Sequence, residues 1–144
     1  QLHGPVGLEA VARLRGLRPG LLLIKSLVLA PGREQGLLRD VERFAPLVDA
    51  FLTDTFDPAT GASGATGKVH DWAVSRRLAL ASPRPLILAG GLTPGNVAEA
   101  VRAVRPAGVD AHTGLEDAAG NKDEALVRAF VREARAALAA CGPA

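Results

Sequence analysis

Polar and glycine residues gather where the apolar runs of this chain stop. His3 and Gly4, Lys25, Asp54, the pair Gly90–Gly91 and the triplet His112–Thr113–Gly114 all fall at the C-terminal ends of strand-like stretches. Chance would scatter them, whereas parallel α/β folds carry their active sites at that end. The stretch from Pro85 to Val104 is the most telling. A short apolar run, Leu86 to Ala89, stops at the two glycines, and Thr93 and Pro94 then read as the cap and first position of a helix. Val97, Ala100, Val101 and Val104 recur at helical spacing behind them. A buried strand running through glycine into a helix start presents backbone N–H groups to an anion, usually phosphate. The alternative is a strand-to-helix turn that needs glycine only for its geometry.

The elements that must position these residues alternate. Helical spacing covers Gly7 to Leu17, Gly36 to Leu47, Trp72 to Leu80 and Asp123 to Ala140. Strand-like runs cover Leu21 to Leu29, Ala50 to Thr55, Leu86 to Ala89 and Gly108 to Ala111. A loop rich in Gly, Ala, Ser and Thr joins Phe56 to Lys68. Strands alternating with helices predict parallel βαβ units with right-handed crossovers. Four complete units follow the initial Gln1 to Gly4, and nothing in the composition divides them into more than one domain.

Composition narrows the function. The 144 residues are 48% hydrophobic and 22% charged, which suits a globular domain. Seventeen basic against fifteen acidic residues leave a net charge of +2, and aromatic residues make up 3%. That balance argues against nucleic acid as a partner. Three scattered histidines and one cysteine give no metal-ligand spacing, and Gly90–Gly91 lacks the later glycine of a dinucleotide fingerprint. No cofactor is expected. The single Cys141 fits a reducing cytoplasm, and no run approaches the ~18 apolar residues of a membrane span. The chain contains no methionine and begins at Gln1, which points to a piece of a longer product.

These segments together resemble the C-terminal two-thirds of the phosphoribosylanthranilate isomerase family of tryptophan biosynthesis. QLHG at Gln1 to Gly4 is similar to the end of the family's fourth strand, and IKSL at Ile24 to Leu27 to its fifth. LTDT at Leu52 to Thr55 resembles the sixth. GATGKVHDW at Gly64 to Trp72 stands where the family usually has GGTGKTFDW. LAGGLTPGNV at Leu88 to Val97 resembles the seventh strand with its phosphate loop, and GVDAHTGLE from Gly108 the eighth. The resemblance implies a phosphate-binding α/β fold of the (β/α)8 TIM-barrel type, represented by its last four β-α units plus the end of the fourth strand. Eight such units need about 200–250 residues, so self-association or a missing N-terminal segment is expected to complete the barrel.

The activity implied is an Amadori rearrangement of N-(5-phosphoribosyl)anthranilate. Asp54 matches the family's general acid, the reading favoured here over that of a buried aspartate capping a neighbouring turn. Lys25 would put a positive charge near the substrate's anionic groups, or form an interior ion pair with Asp54 or Asp110. His3 would hydrogen-bond the ligand or close its strand end. Phosphate would be held by backbone N–H groups near Gly90, Gly91 and Gly114, with a hydroxyl from Thr93 or Thr113 and a charge from His112. Gly64, Thr66, Gly67 and Lys68 form the expected loop over the mouth. Trp72 reads as a packing anchor. Two departures stand out. The family's eighth-strand loop usually reads SSG, where this chain has His112, Thr113 and Gly114, and its catalytic cysteine, in a KICG motif, has no counterpart; Cys141 is no substitute. A phosphate-binding paralogue without the isomerase general base is therefore the rival reading.

Overall fold

The computed structural model describes residues 1–55 and 71–142. In chain order these form α1 (Leu8–Leu17), β1 (Ile24–Leu29), α2 (Glu34–Phe44), β2 (Ala50–Thr55), α3 (Trp72–Ala81), β3 (Leu86–Leu88), α4 (Val97–Val104), β4 (Gly108–Val109) and α5 (Glu124–Cys141). The four strands make one parallel sheet in the order β1-β2-β3-β4. Ahead of them Leu2 bridges Lys25 in the same parallel sense, donating from its N–H to Ile24 O and accepting from Ser26 N. Sequential parallel strands with crossovers of one hand put every helix on the same face of the sheet.

That face holds the core. Leu27 and Leu29 of β1, Phe51 of β2, and Leu86 and Leu88 of β3 pack against Leu37, Val41 and Phe44 of α2 and Leu78 of α3. The four apolar positions of α4 marked by helical spacing, Val97, Ala100, Val101 and Val104, are all fully buried in this cluster. Because side chains alternate along a strand, Ser26 and Val28, Leu52 and Asp54, and Ile87 face the other way.

Several element boundaries differ from the sequence expectation, each for a local reason. The first strand was expected from Leu21, but β1 starts at Ile24, because its partner β2 starts opposite it at Ala50. Leu22 is 82% exposed, and the turn before β1 is held by Arg15, which donates to the carbonyls of Pro19 and Leu21. Helix α2 was expected to reach Leu47 but ends at Phe44. Pro46 has no N–H to continue the ladder and disfavours helical backbone before it, and Leu47 N and Val48 N both return to Phe44 O. β4 is two residues long, matching the short β3 that it pairs with. Trp72 packs on the core cluster, as expected of an anchor.

Helix α5 is fixed at its start by Asp123, whose Oδ1 accepts from Leu126 N at 2.9 Å. Loss of that acceptor leaves a helix N–H without its partner. Asp123→Ala is expected to lower stability by about 1 kcal/mol in urea unfolding. An unchanged midpoint would show the cap to be dispensable.

Candidate active site

Asp54 is the fifth residue of β2, facing away from the helices, and it is 5% exposed. Its Oδ1 accepts from Thr55 N at 2.9 Å. Its Oδ2 lies 3.3 Å from Nδ1 of His3, which reaches across β1 from the segment bridged by Leu2. The same Nδ1 is 3.3 Å from Ser26 Oγ, and Gln1 Nε2 donates to that hydroxyl at 3.4 Å. Burial pushes the Asp54 carboxyl above its ordinary value, aided by the Asp110 carboxylate; the Thr55 N–H and His3 pull it back without reversing the shift. A carboxyl so placed holds its proton longer than a surface aspartate does, which suits a general acid. His3 and Asp54, marked separately in the sequence, are thus brought together. Ser26 was not singled out as a site residue; facing Leu52 in the register, it sits on the Asp54 side of the sheet.

Next to Asp54 the chain of β2 is tied to the glycine loop. Thr53 Oγ1 accepts from Ala89 N at 2.9 Å and donates to Ala89 O at 3.1 Å. Gly90 and Gly91 follow with φ of 105° and 63°, a left-handed backbone that side chains rarely adopt. The helix proper starts at Val97, later than the expected Pro94. Thr93 nonetheless begins the turn, because its carbonyl accepts from Asn96 N and Val97 N. Asn96 holds the loop from inside: its Oδ1 accepts from Thr93 N at 2.8 Å and its Nδ2 donates to Gly91 O at 3.0 Å. The bond from Thr93 N to Asn96 Oδ1 is one half of a capping box, at the three-residue spacing of Thr93 and Asn96.

The second glycine loop lies against the first. A Cβ on Gly114 would stand 2.0 Å from Leu92 O and 2.9 Å from Thr93 Cγ2, so only glycine permits this approach. Thr113 opens a 3-10 turn, Thr113–Leu115, in which Leu115 N donates to His112 O. His112 is largely exposed, with Nδ1 3.1 Å from Glu116 Oε1. Lys122 donates to the His112 carbonyl and to Glu116, bracing the loop from behind. Gly90, Gly91, Thr93, Thr113 and Gly114 therefore belong to one adjoining pair of loops, and His112 stands at its edge.

Lys25 is not with them. It is the second residue of β1, paired with Phe51, whereas Asp54 pairs with Val28 three residues further on. Its side chain lies on the helix face, with Nζ 5.7 Å from the Phe44 ring centroid and donating to Gly4 O and Ser26 O. The placement at a strand end is corrected accordingly, as is the ion pair with Asp54 or Asp110: alternation sends Lys25 to the opposite side of the sheet. Gly64, Thr66, Gly67 and Lys68 lie outside the described residues. Among the described residues no group of three or more His, Cys, Asp or Glu side chains could hold a metal ion. No helix there is long and apolar enough to cross a membrane.

The raised Asp54 carboxyl carries a sign that stability measurements can read. A native carboxyl above its unfolded value of 3.8 binds its proton more tightly when folded, so stability falls as pH rises from about 4 through the native value. Asp54→Asn keeps an acceptor for Thr55 N–H and removes the ionisation. The variant is expected to match the parent near pH 3 and to gain on it as pH rises toward neutrality, as read by urea unfolding. A constant offset at every pH would dismiss burial as the cause.

The model of the family "PRAI: N-(5'phosphoribosyl)anthranilate (PRA) isomerase" matches residues 1–133. The chain is 45% identical over 136 residues to N-(5'-phosphoribosyl)anthranilate isomerase 2 of Methanosarcina mazei, covering 94% of this chain and 58% of that one. It spans about three-fifths of the length of the curated relatives it matches. The crystal structure of phosphoribosyl anthranilate isomerase from Thermotoga maritima superposes with a TM-score of 0.72 at 32% identity, over 94% of this chain and 60% of that one. Another isomerase structure, in complex with reduced 1-(o-carboxyphenylamino)-1-deoxyribulose 5-phosphate, superposes at 0.69 with 29% identity, over 94% and 58%. The fold is of their (β/α)8 type, and the chain belongs to the N-(5'-phosphoribosyl)anthranilate isomerase family.

Proposed function

We propose that the protein carrying these residues isomerises N-(5'-phosphoribosyl)anthranilate, an aldose-to-ketose step of tryptophan biosynthesis. The observation that carries this reading is a buried Asp54, its carboxyl pushed above the ordinary value by burial, on the strand tied to two touching glycine loops. Asp54 donates its proton to the furanose ring oxygen as the C1–O bond breaks, and the nitrogen lone pair forms the Schiff base. The Asp54 carboxylate left behind is met by Thr55 N–H and His3. A base then removes the proton at C2, giving an enolamine that tautomerises to the ketose. That base is the family's cysteine; Cys141, at the end of α5, does not take its place.

The phosphate is read as held by the backbone around Gly90, Gly91 and Gly114, with Thr93 or Thr113 adding a hydroxyl and His112 at the edge. Backbone N–H groups at a helix start suit an anion. The phosphorylated ligand of the related structure supports a phosphorylated small molecule here. The same reading makes residues 1–144 one domain of the last four β-α units. A preceding segment or a second copy pairing at the sheet edges completes the barrel. The rival, a phosphate-binding paralogue without isomerase chemistry, is favoured by His112-Thr113-Gly114 standing where the family usually has SSG.

Turnover of phosphoribosylanthranilate, generated in place and followed by its fluorescence, separates the two. The isomerase reading expects turnover that Asp54→Asn lowers by roughly 10²–10⁴-fold, the range of a positioned acid, with the fold intact. A parent protein that binds the phosphosugar without turning it over would establish the paralogue. In either case Gly114→Ala, which drives a methyl into Leu92 O, is expected to weaken inorganic phosphate binding at least about tenfold by calorimetry. Unchanged affinity would place the phosphate elsewhere.

A further inference from the structure

Beside β1 lies an open cavity of about 660 Å³, lined by β1, the segment from Gly4 to Leu8, and one face of α2. Its volume falls within the range of small-molecule sites. Val6, Leu27, Leu37 and Phe44 supply apolar wall, and Arg33, Asp40 and Arg43 stand along α2. Lys25, 8% exposed, also lines it. Lys25 and Leu27 present the strand's helix face to it, and Ser26 and Val28, whose side chains face the Asp54 side, line it as well.

Charge is unbalanced here. Lys25 gives hydrogen bonds to two carbonyl oxygens and lies over an aromatic ring, but among the described residues no carboxylate pairs with it. Asp40 acts on it only through space, and burial pushes its ammonium below the ordinary lysine value. Three cationic side chains thus share the cavity with one anion, and an ammonium has three donors, of which two are used. A buried charge is stable when paired. The carbonyl oxygens of Gly4 and Ser26 supply partial charge but no neutralisation.

We propose that this cavity binds a small organic anion, a carboxylate on an apolar or aromatic body, with its charge on Lys25 and its body against Phe44 and Leu37. Arg33 and Arg43 draw the anion in, and Asp40 disfavours dianions. The site is independent of the isomerase reading, and none of the residues lining it belongs to the loops at Gly90–Gly91 and His112–Gly114.

The test is titration of the full chain with 1-naphthoate and with the neutral 1-naphthalenemethanol, by calorimetry and by amide NMR shifts. Expected are saturable one-site binding of naphthoate, a preference of about tenfold or more over the alcohol, and shifts at Leu27, Leu37 and Phe44. Lys25→Met keeps most of the stem and should lose about tenfold or more in naphthoate affinity while unfolding no more easily than the parent. Arg43→Gln, an exposed change run in parallel, should lose roughly two- to fivefold. Equal binding of acid and alcohol, affinity untouched by both substitutions, or shifts confined to Gly91 and Gly114 would overturn the proposal. So would the lack of saturation at about 10 mM naphthoate, beyond the millimolar affinity that one charged contact supports.

Discussion

Strand β2 is enclosed on both faces, and the rest of the molecule is arranged around that constraint. From Phe51 to Thr55 every side chain is buried, so each polar one must find a partner or change its protonation. Thr53 spends its hydroxyl on both the N–H and the carbonyl of Ala89, which locks β2 to the strand carrying the glycine loop. Asp54, one residue on, faces the other side and takes Thr55 N–H and His3. The Asp54 carboxyl and the Gly90–Gly91 loop are therefore held in fixed relation by the Thr53 hydroxyl. Loss of the Thr53 hydroxyl would take away its hydrogen bonds to Ala89 N and Ala89 O, between β2 and the glycine loop.

Parts of this arrangement were legible from the chain alone because they obey a period. Val97, Ala100, Val101 and Val104 mark the buried face of α4 at helical spacing, and AFLTDT spans β2 as observed. Gly90 and Gly91 were legible because a strand that must turn sharply needs backbone that only glycine adopts freely; both have positive φ. Gly114 was marked for a different reason than the one it serves. Its φ is not in the left-handed region, and what excludes a side chain is the carbonyl of Leu92, in a loop more than twenty residues away. A contact of that range leaves no periodic trace.

Lys25 shows how a period can fail. In LLLIKSLVL almost every position is apolar, so the alternation that tells one face from the other is hidden. The register fixes it only through the partner strand: Lys25 opposite Phe51 belongs to the helix face, and Ser26 opposite Leu52 to the other. Ser26 was invisible as a site residue for the same reason. Its value comes from meeting Gln1 and His3 on a neighbouring segment, which no spacing within β1 announces.

The two buried ionisable groups, Asp54 and Lys25, answer one physical problem in opposite ways across a single sheet. Burial pushes each toward its neutral form, raising the acid and lowering the base. In the reaction proposed for Asp54 the neutral form is the useful one, because a retained proton is what an acid delivers, and Thr55 N–H and His3 lie where the carboxylate would need them. Lys25 has no such use for neutrality: its donors point at carbonyl oxygens that attract the charged form, while the apolar wall disfavours it. A group held in that tension has two ways to relax, by losing its proton or by gaining a counter-charge. The cavity beside it, with Arg33 and Arg43 also in its lining, leaves room for the second.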